Sequence, residues 1–236
     1  MPLLEVSELR KVYAGRAVVD GVSFAVERGE IFGVLGTNGA GKTTTVECLQ
    51  GLRVPDSGTI SVLGLDPARE SAELRRRVGV QLQDARLPEK LRVREALTLF
   101  ASFYPNPAEV DPLLARLGLD AHRDTAFGNL SGGLRQRLSI ALALIGNPEL
   151  AILDELTTGL DPHARVETWQ LIEDVRAAGV TVVLVTHFMD EAHRLCDRVV
   201  VLDHGRAVAA GAPADLLADT GQPTLQEAFV ALTSRS

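Results

Sequence analysis

The sequence predicts an α/β fold: a mainly parallel sheet covered by helices, with an antiparallel β region at the N-terminus and a helical subdomain inserted in the middle. Three observations predict it. Short β-type runs alternate with helical patterns in the first and last parts of the chain, the signature of a parallel sheet with covered faces. Helical patterns follow one another across 84–148 with almost no strand signal, which sets an insert apart from a core made of 1–83 and 149–236. The length of 236 residues, with 46% hydrophobic and 23% charged residues, is that of one soluble globular domain with its own core.

Taken in order, Leu4-Glu5-Val6 and Val22 to Val26 alternate in the strand period, and Gly29-Glu30 punctuates before the apolar run Ile31 to Leu35. A glycine-rich loop follows, then a helix from Lys42 to about Gln50. Gly51, Pro55 and Gly58 break the chain before a strand at Thr59 to Leu63. In the insert, Arg92 to Phe103, Pro112 to Leu117 and Leu134 to Ile145 read as helices. Alternation then resumes: a strand at Ala151 to Leu153, a helix at Arg165 to Ala177 and a β-branched strand at Val180 to Thr186. A helix from Met189, a strand at Val199 to Leu202 and a helix at Leu225 to Leu232 complete the pattern.

Composition excludes several classes. The longest apolar stretch, Leu138 to Ile145, is far shorter than a membrane span and contains Ser139. The start, Met1-Pro2-Leu3-Leu4-Glu5, has neither a basic region nor a small-residue cleavage site, so a cytoplasmic chain is expected. A net charge of −7 argues against broad nucleic-acid binding, which runs on basic patches. Cys48 and Cys196 are far apart, lack metal-ligand spacing and read as plain thiols.

The strongest chemical feature is the loop Gly36-Thr37-Asn38-Gly39-Ala40-Gly41-Lys42-Thr43, which follows an apolar strand and opens a helix. It has the phosphate-binding pattern of P-loop nucleoside triphosphatases in the context that pattern requires. Glycines let backbone N–H groups point inward at phosphate, and the helix N-terminus adds positive dipole. Lys42 reaches the β- and γ-phosphates, the Thr43 hydroxyl can ligate Mg²⁺, and Thr44 lies in the same helical turn on the nucleotide side. A carboxylate for the metal comes from Leu150-Ala151-Ile152-Leu153-Asp154-Glu155, an apolar strand ending in two acids. Ligands of parallel sheets gather beyond the carboxyl ends of the strands. Asp154 is thus a candidate Mg²⁺ ligand and Glu155 a candidate to polarise the attacking water.

Further motifs make the pattern specific. Leu130-Ser131-Gly132-Gly133, with Arg135 and Arg137 on the following helix, stands 89 residues after Lys42. It resembles the signature of the ATP-binding cassette (ABC) ATPases. Gly159-Leu160-Asp161 resembles that family's loop at the dimer interface, and Thr186-His187 its switch histidine at a strand end. Gln83 resembles the glutamine joining core and insert, with Gln81 two residues earlier as the alternative match. Tyr13 resembles the aromatic that stacks on adenine. The other histidines, His122, His163, His193 and His204, have no comparable strand-end context and read as surface or helix residues.

The resemblance implies two copies sandwiching two ATP molecules head to tail. Each γ-phosphate then meets Lys42 of one copy and the Ser131-Gly132-Gly133 helix start of the other, with Asp161 at the interface. Glu155, His187, Lys42 and Gln83 become the catalytic set, and Thr43, Gln83 and Asp154 the Mg²⁺ set. The expected partners are a second copy and separately encoded membrane permease subunits, with no nucleic acid; the expected location is the inner face of the cell membrane. Gly51-Leu52-Arg53, Pro55-Asp56-Ser57-Gly58, Leu63 to Pro67 and His187 to Ala192 look most like bacterial drug and antibiotic exporter subunits.

Alternative readings are a soluble ABC ATPase acting on nucleic acid or ribosomes, or an importer subunit. The 89 residues between phosphate loop and signature carry no heptads for a DNA-repair coiled coil, and the chain holds one cassette with no tail of domain size. Three departures stand out from the family pattern: Leu156 where proline is usual, Thr37 where proline is common, and Leu134 where glutamine is common. Loss of the preset proline φ is expected to loosen the Glu155 turn modestly.

Overall fold

The computed structural model describes residues 1–81 and 87–234, so Gln83 lies outside the described residues. Along the chain the elements are β1 (Leu4–Tyr13), β2 (Arg16–Val26), β3 (Ile31–Leu35), α1 (Lys42–Leu49), β4 (Ser57–Val62), α2 (Ser71–Arg77) and β5 (Val78–Gln81). Next come α3 (Val93–Ala101), α4 (Val110–Arg116), α5 (Gly132–Leu144), β6 (Leu150–Asp154) and α6 (Pro162–Ala177). The chain closes with β7 (Thr181–Thr186), α7 (Met189–Leu195), β8 (Arg198–Asp203), β9 (Arg206–Gly211), α8 (Pro213–Thr220) and α9 (Leu225–Thr233). The fold is α/β, with parallel and antiparallel sheet. None of the helices is long and apolar enough to cross a membrane among the described residues.

Two compact units divide the chain. The first comprises Met1–Arg75 and Thr181–Ser236. Its antiparallel sheet has the order β2-β1-β4. The hairpin turns on Ala14 and Gly15, both at positive φ, as a two-residue turn between right-twisted strands requires. β3 pairs in parallel with both β7 and β8, and β9 closes the edge antiparallel to β8. Every residue of β3 and β7 is buried, which explains their unbroken apolar, β-branched sequences. Phe24 stacks on Phe32 at 5.3 Å, tying the antiparallel sheet to β3. Gly33 is required by packing: a Cβ there would sit 2.8 Å from the Cys196 sulfur.

The second unit is Arg76–Val180. β5 and β6 pair in parallel, Gln81 opposite Leu153. Gly79 lets α5 come close, since any Cβ would overlap the Ala143 carbonyl. Glu95 of α3 bonds back to the Arg92 N–H at 2.9 Å, fixing the helix start. Proline at the first position of α6 follows the capping residue Asp161, which starts that helix three residues before the sequence pattern suggests.

Candidate functional site

The phosphate loop belongs to the first unit and emerges from the end of β3. Gly41 adopts φ 100° and Gly39 φ 83°, conformations that side chains other than glycine rarely take. A Cβ on Gly36 would approach the Leu202 carbonyl to 2.6 Å, and one on Gly41 the Val18 carbonyl to 2.7 Å. The loop is therefore wedged between β8 and β2. Thr37, Asn38 and Gly39 are exposed at its rim, whereas Gly36, Ala40 and Gly41 are buried.

Lys42, only 6% exposed, turns its ammonium back across the loop, donating to Gly36 O at 2.8 Å and Thr37 O at 3.0 Å. A buried ammonium held by the carbonyl dipoles of a glycine-rich loop is a preorganised cation, an arrangement suited to a polyanion. Thr43 is exposed, and Thr44 half-buried, in the first turn of α1. The hard oxygen of the Thr43 hydroxyl is the kind of donor that Mg²⁺ takes.

His187 follows the last residue of β7, and Thr186 lies opposite Leu35 in the sheet register, so His187 stands at the same strand ends as the phosphate loop. The Thr186 hydroxyl accepts the Phe188 N–H at 3.0 Å, and the Phe188 ring lies 4.1 Å from the imidazole. Tyr13 ends β1 opposite Arg16 and is exposed. The Lys11 ammonium lies 5.6 Å and the Arg53 guanidinium 5.9 Å from its ring centre.

The acidic pair lies in the second unit. Asp154 ends β6, and its N–H donates to Gln81 Oε1 at 2.9 Å. Glu155 turns the chain at φ 49°, in the left-handed region that residues other than glycine rarely adopt. Leu156 is fully buried. An apolar anchor thus stands one residue after Glu155, where proline is usual in the family.

The signature and the Asp161 loop meet within that unit. Ser131 caps α5, its hydroxyl accepting the Leu134 N–H at 3.3 Å. Asp161 caps α6, accepting the His163 and Ala164 N–H groups at 3.0 Å each. These N–H donors, that of Ala164 foremost, hold the Asp161 carboxyl below its ordinary range. A Cβ on Gly132 would lie 3.9 Å from Leu160, and one on Gly133 3.6 Å from Ala164, so the two helix starts are neighbours. Arg137 pairs with Glu167 at 2.6 Å and binds Leu117 O at 3.1 Å, locking α5 to α6. Ser131 and Gly132 remain exposed. Leu134 is half-buried and supplies the N–H that the cap receives, a role its apolar side chain does not hinder.

Two positions have a part that the sequence does not show: Gln81, there only an alternative to Gln83, and Gly205, which no motif marks. Gln81, buried at 4% exposure, fixes the backbone of Asp154; a glutamine ending a short apolar run is the signal. Gly205, in the turn between β8 and β9, donates to Ala40 O of the phosphate loop at 3.1 Å and accepts the Asp20 N–H at 2.7 Å. His204-Gly205, both at positive φ, is the corresponding hairpin signal.

Comparison with known proteins agrees with this geometry. Residues 19–158 match the model of the family described as ABC transporter. A relative from Ralstonia nicotianae, Nod factor export ATP-binding protein I, is 43% identical over 92% of this chain and 69% of its own. Its counterpart from Paraburkholderia xenovorans is 44% identical over 91% of this chain and 72% of its own. Among solved structures, an ATP-binding subunit of an ABC transporter superposes with a TM-score of 0.87 at 34% identity, covering 98% of this chain and 99% of the other. CbiO1 from Clostridium perfringens, part of the cbiONQ transporter complex, gives 0.84 at 31% identity over 92% and 91%.

Proposed function

We infer the working of this site from one premise: the chain belongs to the ABC transporter family, as an ATP-binding, ATP-hydrolysing subunit. The observation that carries the reading is the buried Lys42 ammonium bonded across a glycine loop whose rim is open. Residues 36–44 bind the triphosphate of ATP through N–H groups and Lys42, while Tyr13 stacks on the base. Thr43, Asp154 and Gln83 are the residues that would hold Mg²⁺, which would offset the charge of the triphosphate. Glu155 accepts a proton from the attacking water, and His187 keeps that water and the γ-phosphate aligned.

The helical insert, 84–148, carries the signature, and two copies close around two nucleotides. The exposed Ser131-Gly132 start of α5, with Asp161 beside it, supplies N–H groups and positive dipole to the nucleotide of the partner. ATP thereby joins the copies, and loss of the γ-phosphate releases them. Separate membrane subunits form the pore and hold this chain at the inner membrane face. Relatives named for export support outward transport.

Two experiments test this reading. Lys42→Ala abolishes ATP binding and turnover; unchanged turnover contradicts the site. Glu155→Gln protein, recovered from detergent-solubilised membranes with ATP present, carries a polytopic membrane protein and no external solute-binding protein. Recovery with ribosomal or DNA-processing proteins instead overturns the transport role.

A further inference from the structure

His187 sits where regular structure stops. β7 ends at Thr186 and α7 begins at Met189, so only His187 and Phe188 join strand to helix. An imidazole in such a joint has about six broad orientations open to it, from three staggered wells of χ1 and a twofold χ2. Aligning a water with a phosphate calls for one of them, so a neighbour that excludes the others bears on the rate.

Phe188 is held from both sides. Its N–H donates to the Thr186 hydroxyl at 3.0 Å, and its carbonyl accepts the Ala192 N–H at 3.2 Å. The helix is itself anchored, with Met189, Ala192 and Leu195 buried in the core. The backbone of Phe188 is thus tied to the strand end and to the first turn of α7. From this footing its ring lies 4.1 Å from the imidazole, centre to centre, with the planes tilted by 37°. That is closer than the spacing of about 4.5–7 Å usual for paired aromatic rings. Both residues are half-buried, so the contact is partly shielded from water.

Phe188 also breaks a local rule. It occupies the capping position of α7, at φ −93° and ψ 114°, where serine, threonine, aspartate or asparagine would accept a backbone N–H. A phenyl ring forgoes that bond, and the acids Asp190 and Glu191 are what the first turn offers to the helix dipole. A side chain that gives up a cap points to a use outside its helix, and this ring lies against His187. We propose that Phe188 is a positioning residue for hydrolysis. Its ring confines the His187 imidazole to the orientation that keeps the water and the γ-phosphate aligned, so it acts on turnover only through His187, on the role given to that histidine above.

The test is a double-mutant cycle in steady-state ATP hydrolysis by the full chain. Phe188→Ala lowers kcat by about 2- to 10-fold, the range of one aromatic pair. The KM for ATP stays unchanged, because the phosphate loop holds the triphosphate without this ring. Phe188→Leu, which keeps apolar bulk and loses the planar face, falls as Phe188→Ala does, and Phe188→Tyr keeps the native kcat. In a His187→Ala background, Phe188→Ala has no further effect. A loss that multiplies the loss of His187→Ala, or a native kcat in Phe188→Ala or Phe188→Leu, overturns the role of Phe188 and leaves that of His187 standing. A native rate in His187→Ala overturns the alignment by His187 itself.

Discussion

At Asp161, one carboxylate accepts two backbone N–H groups at the start of α6, and their dipoles favour its charged form. Its pKa in the fold is lowered, foremost by the Ala164 N–H. A lowered folded value means that the carboxylate adds stability above the unfolded value of about 3.9. That increment is lost as pH falls through the folded value. Acid melts of the native chain and Asp161→Asn test this: the native melting temperature drops more steeply below about pH 4, and parallel curves contradict it. Cys48 responds differently, since burial pushes its thiol up to about 11, leaving it a neutral packing group at physiological pH. Burial raises Cys196 in the same way, so neither cysteine suits nucleophilic or thiolate chemistry.

The turn between β8 and β9 matters because it is hydrogen-bonded to both the phosphate loop and β2. Gly205 needs φ 82°, and a Cβ there would lie 2.5 Å from the Val18 carbonyl. Gly205→Ala therefore displaces the Ala40 carbonyl and raises the KM for ATP about tenfold, for a strain on the order of 1–3 kcal/mol. A steady-state titration checks it; an unchanged KM contradicts the positioning role. This turn also marks where sequence reading runs out. Its strand β9, Arg206–Gly211, is built of alanine and glycine around one valine, so it carries little β signal and owes its form to pairing with β8. β5, Val78–Gln81, is four residues long, too short to carry a pattern of its own, and owes its form to pairing with β6. By contrast β3, β7 and β8 were legible because burial on both faces demands unbroken apolar runs. The phosphate loop, signature and acid pair were legible because their chemistry fixes residue type and spacing together. Gln81 and Gly205 act through backbone contacts from distant segments, which spacing does not record.

Over the whole molecule, function follows from the polar groups that the fold gathers at its strand ends and helix starts. The first unit ends its parallel strands in a glycine-rich loop with a buried ammonium. The second exposes the capped start of α5 beside that of α6. Neither feature adds to a core; both are suited to an anion that is present in one state and absent in another. In the cycle proposed above, a nucleotide bound by both copies biases the pair toward closure by its differential affinity, and hydrolysis removes that bias. The most direct test is the mass of the Glu155→Gln chain by light scattering, with and without MgATP, alongside its turnover. ATP-driven closure of two copies gives a doubling of mass with MgATP and hydrolysis slowed by about 10²–10⁴-fold, the scale of a lost general base. A chain that binds ATP yet keeps its monomer mass, or hydrolyses at the native rate, contradicts it.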